Sequence, residues 1–364
     1  MTTLLHALGL AINVGVTLLV LWLALAIYRQ LVKSLPRATG DPELADFVQA
    51  HRNRWTTHRL AVATVDLRSA TPVRSAFVGA DADSPFELGT ASQAFTGLLA
   101  ADAAGRRDVQ LDRPLAALAP ELDGPLAERT LRSLLTHTAG LPDQPTGLAV
   151  RAALATLVGL DPFPRRGPDV IGAASRLRLR GTRFAPSVTG AAFAGQLLAR
   201  QAGSAFPDLL ERRVLIPLGL GATSARPDAH RIRRGWTSIG RRSSPWHADG
   251  YAPAVGVVTT LTDMTALIRA LASGRGPGRE ALSTRGAVEI GPHRAAALLW
   301  QVDTDPGSGR GIAWQSGQSG GYSAYFAVVP EARRGVVVLS DCAAAPITKR
   351  LGTQVAAWLG TTAS

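Results

Sequence analysis

The chain has 364 residues, of which 46% are hydrophobic and 18% are charged, a content that allows one domain of about 300 residues or two interleaved subdomains. Cys342 is the only cysteine, which excludes a disulfide within the chain. The formal net charge is +12, but the arginines are scattered without an interleaved aromatic array, so we expect a solvated basic surface and no nucleic-acid partner.

The first element along the chain is an apolar run from Leu4 to Tyr28 without a charged side chain. About 20 apolar residues span a bilayer core, so residues 1–28 are predicted to be a transmembrane anchor, with lipid around residues 4–28. A cleaved signal peptide is the alternative. No basic leader precedes the run and no small-x-small cleavage site follows it. We therefore expect a single-pass protein of the plasma membrane.

The orientation of this predicted anchor has arguments on both sides. Arg29, Lys33 and Arg37 follow the apolar run and nothing basic precedes it. The positive-inside rule therefore favours a cytoplasmic domain after the anchor. The family resemblance described below favours the extracytoplasmic side, and that is the side we expect.

The region after the anchor changes from linker to regular structure. Residues 29–57 are predicted to be a juxtamembrane linker and an N-terminal helix, because apolar residues recur at helical spacing from Glu43 to Trp55. The main domain is predicted over 58–364. Its first two strands are expected at 58–66 and 73–78, joined by a polar turn.

Two stretches resemble the serine β-lactamase and penicillin-binding-protein superfamily. Residues 86–96, FELGTASQAFT, resemble its nucleophile segment, in which a serine follows a glycine and a lysine comes three residues later. Residues 130–142, TLRSLLTHTAGLP, resemble the signature T-L-R-x-L-L-T-H-T-S-G-L-P almost position for position. In this family the histidine of the signature, here His137, belongs to a structural turn.

The fold that this resemblance implies is α/β (α+β), β-lactamase/transpeptidase-like. An antiparallel sheet is built from both chain ends and flanked by helices, beside a mostly helical lobe at about 95–290. The sequence pattern places the later strands at 311–314, 322–329 and 335–339 and a closing amphipathic helix at 347–359.

The resemblance also locates the reacting positions, and each one carries a different residue in this chain. Thr90 stands in place of the serine and Gln93 in place of the lysine. Pro186 and Val188 align with the tyrosine and asparagine of a later motif, and Gln315 with a cationic or imidazole side chain. The resulting candidates for binding in the cleft are Thr90, Ser92, Gln93, Ser187, Gln315, Ser316 and Gly317.

These substitutions remove the groups that could take a proton from the nucleophile. A general base must bind a proton near neutral pH, which glutamine, proline and valine cannot do. No lysine lies between Lys33 and Lys349 and no tyrosine between Tyr28 and Tyr251. A small shift in alignment therefore cannot recover the catalytic pair. No metal or cofactor is expected, since the histidines are isolated.

Three functional hypotheses follow. The first is a membrane-anchored, catalytically inactive pseudoenzyme whose cleft binds a peptide, a glycan or another membrane protein as a regulator or scaffold. The second is a residual hydrolase of peptides, amides or esters with Thr90 or Ser92 as nucleophile and His247 or Asp249 as base. The third is a structural subunit of a membrane assembly, with residues 4–28 packed against partner helices.

Overall fold

The computed structural model describes residues 14–25, 36–53, 58–144, 146–163, 169–226 and 232–362. The chain divides into two compact units, Met1–Arg37 and Ala38–Ser364. In the first unit, residues 14–25 form a helix, α1, whose side chains are exposed. The predicted membrane span from Leu4 to Tyr28 lies partly outside the described residues. Within them, no helix combines the length and the apolar character needed to cross a bilayer.

The second unit contains one large antiparallel sheet with strand order β1-β3-β2-β13-β12-β11-β10-β9-β8 among the described residues. The strands are Thr39–Gly40 (β1), Leu60–Asp66 (β2), Val73–Val78 (β3), Val288–Gly291 (β8), Arg294–Ala296 (β9), Gln301–Thr304 (β10), Gly311–Gln318 (β11), Ser323–Val329 (β12) and Arg334–Ser340 (β13). The centre of the sheet pairs β2 with β13, so the two ends of the domain meet there. This confirms the predicted antiparallel sheet built from both chain ends.

Both faces of the central strands are buried, which explains their nearly continuous apolar sequence. In β2, Ala61 and Ala63 face the large core on one side of the sheet. Leu60 and Val62, which alternate with these alanines, face a smaller core on the other side, because successive side chains of a strand point in opposite directions. That smaller core is covered by helices α2 (Pro42–His51) and α13 (Ala345–Thr362).

The sheet extends further than the sequence pattern predicts. Strands β8, β9 and β10 occupy 288–304, directly after the stretch expected to belong to the helical lobe. They are short, and β9 carries arginine followed by two alanines. Such residues give no period-two alternation of apolar and polar side chains. These strands become recognisable only through their pairing in the sheet, in which β10 pairs with β11, β9 with β10 and β8 with β9.

The lobe beside the large core is mostly helical. Its helices are Gln93–Gly105 (α3), Gly124–Ala127 (α4), Leu131–Leu135 (α5), Thr146–Val158 (α6), Val170–Ser175 (α7), Val188–Gln201 (α8), Phe206–Leu210 (α9), Ile216–Leu218 (α10), Ala252–Val255 (α11) and Leu261–Ala272 (α12). Two small strand pairs complete it: Phe86–Glu87 (β4) with Val258–Thr259 (β7), and Gly235–Trp236 (β5) with Arg242–Ser243 (β6). Helix α3 is buried almost all round, and the short turn that leads into it, Gly89–Ser92, packs against β11.

Candidate active site

Thr90 lies at the junction between β4 and α3, in a short 3₁₀ turn over Gly89–Ser92. Gly89 has φ of 53°, and a Cβ there would lie 2.0 Å from the carbonyl oxygen of Gln318. Only glycine fits both constraints. The close approach brings β11 against the turn, and the Gln318 amide donates a hydrogen bond of 3.3 Å to Thr90 Oγ1. A threonine hydroxyl therefore sits at the position expected for the nucleophile.

A cavity of about 260 Å³ opens beside this hydroxyl. It contains seven of the sequence-predicted positions, contributed by α3, by the start of α8 and by β11: Thr90, Gln93, Pro186, Ser187, Val188, Gln315 and Ser316. Gly317 lies behind the lining, where a Cβ would be 2.0 Å from the amide nitrogen of Ala91. The three aligned motifs thus converge on one site.

Ser92 is a predicted candidate whose side chain is directed away from the cavity. Its side chain is fully buried, and its hydroxyl accepts a hydrogen bond of 3.0 Å from the backbone amide of Val257. His247 and Asp249, considered as bases, also lie outside the cavity lining. His247 is paired instead with Asp161, with Nδ1 3.2 Å from the carboxylate. Ser92 therefore joins α3 to the segment before β7.

Gln93 contributes to the cavity a polar side chain without a hydrogen-bond partner in the described part of the chain. Its side chain is only 6% exposed and lines the cavity one helical turn after Thr90. Its carboxamide makes no hydrogen bond to another described residue. Neither polar atom of this carboxamide is fully enclosed, so both are open to a donor or an acceptor on a ligand in the cavity.

Gln315 lines the same cavity, but its carboxamide is already engaged by the backbone. Nε2 donates to the carbonyl oxygen of Leu299 over 3.0 Å, and Oε1 accepts from the Ser316 amide over 2.9 Å. Leu299 has φ of 56°, a left-handed conformation that is uncommon for a leucine. Gln315 therefore stabilises the loop before β10, and no charge is present where the family carries a cation or an imidazole.

The far wall of the cavity is formed where α8 begins. Ser187 caps α8: its hydroxyl accepts from the Gly190 amide over 2.9 Å and donates to the Pro142 carbonyl over 2.7 Å. The hydroxyl is thus used in the fold. Pro186 and Val188, on either side of it, bring apolar surface to the lining where the family has a tyrosine and an asparagine.

His137 combines a structural role with a place in the cavity lining. Its φ is 58°, and Nδ1 accepts a hydrogen bond of 3.2 Å from the Ser187 amide. This bond needs a free electron pair on Nδ1, so the tautomer is assigned with its proton on Nε2. Burial lowers the pKa of the His137 imidazole to about 4. The ring is therefore neutral near pH 7 and carries its proton on Nε2.

Asp143 is a site residue that the sequence reasoning missed. It follows directly after the 130–142 signature and lines the cavity from an exposed position. Its carboxylate accepts the Val188 amide at the first turn of α8 over 3.1 Å, a favourable place for a negative charge. The signal that could have found it was its position one residue beyond the most specific motif of the chain.

Glu87 lies in β4, just before the Thr90 turn, and does not line the cavity. This buried carboxylate accepts hydrogen bonds from the Trp246 amide over 2.6 Å and from the Ser319 hydroxyl over 2.5 Å. It therefore ties β4 to the loop that follows β11. Burial is the main cause that raises the pKa of the Glu87 carboxyl to about 7.

The comparisons with known proteins agree with this geometry. The family model described as "Beta-lactamase" matches residues 42–355. The beta-lactamase of Escherichia coli (strain K12) is 26% identical over 306 residues, which cover 70% of this chain and 75% of that protein.

Solved structures share the fold at lower identity. A class C beta lactamase from Rhodobacter sphaeroides superposes with a TM-score of 0.68 at 21% identity, covering 85% of this chain and 95% of that one. A beta-lactamase/D-alanine carboxypeptidase from Pseudomonas syringae has a TM-score of 0.68 at 19% identity, with the same coverage of 85% and 95%. With a family model spanning most of its length and the serine hydrolase fold around Thr90, this chain belongs to the beta-lactamase family.

Proposed function

We propose that this protein is a non-catalytic member of the family whose Thr90 cavity binds a ligand without forming a covalent intermediate. The observation that carries the proposal is the hydrogen bonding of Thr90. Its hydroxyl accepts the Gln318 amide, and no side chain among the described residues lies within hydrogen-bond distance to accept its proton. Activation of a hydroxyl nucleophile requires such an acceptor.

The ionisable neighbours in the cavity do not fill this role. His137 uses its free electron pair to bind the Ser187 amide and has a pKa of about 4, so it is a poor proton acceptor. The Asp143 carboxylate is held at the first amide of α8. Loss of a nucleophile or base in a comparable site costs on the order of 10⁴ to 10⁶ in rate. A binding role fits these surroundings better than turnover.

The ligand class that fits the cavity is a peptide or another amide-bearing molecule. The Gln93 carboxamide and the Ser316 hydroxyl line the cavity, and neither makes a hydrogen bond to a described residue. A carboxamide offers both a donor and an acceptor, which matches the two groups of a peptide bond. A solved neighbour from Pseudomonas syringae is named a D-alanine carboxypeptidase, so a cell-envelope peptide is our choice of probe.

The proposal also places the protein at the plasma membrane. It depends on the apolar run of residues 4–28, which holds no charged side chain. A domain on the outer side would meet cell-envelope peptides and glycans and other membrane-protein subunits. A regulatory or scaffold role follows from binding without turnover.

The first test is covalent labelling of membranes with a fluorophosphonate and with benzylpenicillin, followed by intact-mass measurement. We expect no adduct on the wild-type protein. An adduct that disappears in Thr90→Ala would overturn the proposal and support the alternative, a residual hydrolase with Thr90 as nucleophile. The observation that favours this alternative is the Gln318 amide, because a backbone donor at the nucleophile can stabilise a developing oxyanion.

The second test measures binding itself by calorimetry with N-acetyl-D-alanyl-D-alanine. We expect the wild-type protein to bind this probe and Gln93→Leu to bind it about tenfold more weakly, the effect of one lost hydrogen bond. Gln110→Leu is the matched control, because Gln110 is an exposed glutamine outside the cavity lining. Equal affinity of Gln93→Leu and the wild type would contradict the role given to Gln93.

A further inference from the structure

A second, larger cavity lies on the opposite side of the sheet, where α13 covers strands β10 to β13. Its volume is about 410 Å³, within the range of small-molecule sites. Apolar side chains make much of the wall, among them Ile312, Ala327, Val336 and Leu359. This space is separate from the Thr90 cavity, and the inference drawn from it does not depend on the proposed function.

Two polar groups in the wall of this cavity lack partners. Trp314 is 5% exposed, and its indole Nε1 is buried without a hydrogen bond. Tyr325 is 3% exposed, and its hydroxyl has no partner among the described residues. Both groups can donate a hydrogen bond. Trp314 Nε1 is fully enclosed, so the Tyr325 hydroxyl is the one of these two donors that is open to an acceptor in the cavity.

A cation stands beside these donors. Lys349 Nζ lies over the Trp314 ring, 3.5 Å from the ring centroid, a cation–π contact. Partial burial lowers the pKa of Lys349, which indicates that its ammonium group is incompletely solvated. Within the described part of the chain Lys349 forms no ion pair.

The carboxylates at the rim are already engaged. Asp303 pairs with Arg294 at 3.3 Å. Asp305 accepts the amide and hydroxyl of Ser308 in its own turn, over 3.2 Å and 2.5 Å. Arg334, another cation of the lining, is paired with Asp66. Lys349 and Arg310 are therefore the cations of the lining without an ion-pair partner among the described residues. Asp305 also forms no ion pair there, but its carboxylate is held by the hydrogen bonds of its own turn.

We propose that this cavity between α13 and the sheet binds a small anionic amphiphile. Its apolar body fills the space between Ile312, Val336 and Leu359, and its anionic group is held by Lys349 and the Tyr325 hydroxyl. Charge-assisted hydrogen bonds to an anion are stronger than neutral ones, so the anionic group decides affinity. A neutral molecule of the same shape binds more weakly, and a cationic one is repelled.

The test uses the full-length protein in nanodiscs, with its lysines converted to ¹³C-dimethyl-lysine. Lys33 and Lys349 are the only lysines, so apart from the α-amino group the NMR spectrum contains two reporters, of which Lys349 lines the cavity. The probes are dodecanoate, dodecanol and dodecylammonium. We expect dodecanoate to shift the Lys349 signal in a saturable way and to leave Lys33 unchanged. We expect dodecanol to need at least tenfold higher concentration and dodecylammonium to have no effect.

Variants separate the site from general partition into the bilayer. Binding of dodecanoate is followed by calorimetry in Lys349→Met, with Lys33→Met as the matched control and Tyr325→Phe as a second variant that keeps the packing. We expect Lys349→Met and Tyr325→Phe to weaken binding about tenfold and Lys33→Met to leave it unchanged. Equal shifts at both lysines, equal affinity for dodecanoate and dodecanol, or full affinity in both cavity variants would each overturn the proposal.

Discussion

The backbone amide of Gln318 points its N–H at Thr90 Oγ1 across 3.3 Å, so among the described residues the hydroxyl at the nucleophile position meets a donor and no acceptor side chain. The scaffold that would present a nucleophile is therefore in place, and in our proposal only the activating group is lacking. This separation suggests that chemistry could be restored at few positions, because the positions of the backbone groups do not have to change.

The first prediction is that Thr90→Ser combined with Gln93→Lys restores acylation by benzylpenicillin. Residues three apart on a helix are neighbours, so the new amine would lie within reach of the new hydroxyl. General-base assistance contributes about 10² to 10⁴ in rate, and we expect labelling at least about 100-fold faster than in either single variant. Intact-mass measurement over time gives the rate. Thr90→Ser with Gln93→Met is the control of matched length, and equal labelling of both double variants would count against this account.

The second prediction concerns the contact between β11 and the Thr90 turn. An alanine Cβ at Gly317 would lie 2.0 Å from the Ala91 nitrogen, whereas at Gly311 its nearest neighbour would be Val302 Cγ1 at 3.5 Å. We expect Gly317→Ala to lower the free energy of unfolding by about 1 to 3 kcal/mol through overpacking. Gly311→Ala, in the same strand, should stay within about 0.5 kcal/mol of the wild type. Urea unfolding measures both, and similar midpoints would show that the turn is not closely packed.

The third prediction is that Glu87 makes the folded protein less stable as pH rises from about 4.5 to 7. Its pKa is raised to about 7 from an ordinary 4.5, so between these values the folded protein holds a proton that the unfolded chain has lost. Stability then falls with increasing pH, by at most about 3 kcal/mol for this group. Glu87→Gln keeps the shape and removes the titration. We expect its free energy of unfolding, from urea titrations at several pH values, to lack this decline, and a parallel decline in the variant would assign it to another group.

The fourth prediction is that His137 makes the folded protein less stable as pH decreases, the opposite direction to Glu87. Burial lowers the pKa of His137 to about 4 from 6.5, so between these values the unfolded chain binds a proton that the folded protein does not. Stability therefore falls as pH decreases through this window. His137→Asn tolerates the φ of 58° and cannot titrate. The loss of stability between pH 6.5 and pH 4.5 should be smaller in this variant, as measured by thermal unfolding. An unchanged loss would place the proton uptake elsewhere.

The sequence was sufficient for the parts of the fold with strong periodicity or distinctive motifs. Strand Val73–Val78 is found at the predicted bounds. The position of Gln93 one turn after Thr90 followed from the motif alone. The sequence could not reveal that Gln315 is tied to the backbone while Gln93 is not, because both are glutamines in a motif position. Hydrogen-bond partners depend on loops that are distant in sequence, such as the one at Leu299.

The dependence of side-chain partners on segments distant in sequence also explains why Ser92 was misjudged and Asp143 was missed. Ser92 and Thr90 are both hydroxyl residues on one short turn, yet the turn points Ser92 into the core towards Val257. Asp143 gave no signal of its own, because a single aspartate after a proline is common in turns. Its role comes from the start of α8, which lies 45 positions further along the chain.

The pairing of β2 with β13 has a consequence for biosynthesis. Arg59 and Asp341, which are joined by a hydrogen bond at the end of this pair, are 282 residues apart in the chain. Until the last strand has left the ribosome, β2 and β12 both present open strand edges to other nascent chains. Folding that must wait for such distant partners is slow. A ribosome stalled before residue 334 would release an aggregation-prone chain rather than a smaller folded domain.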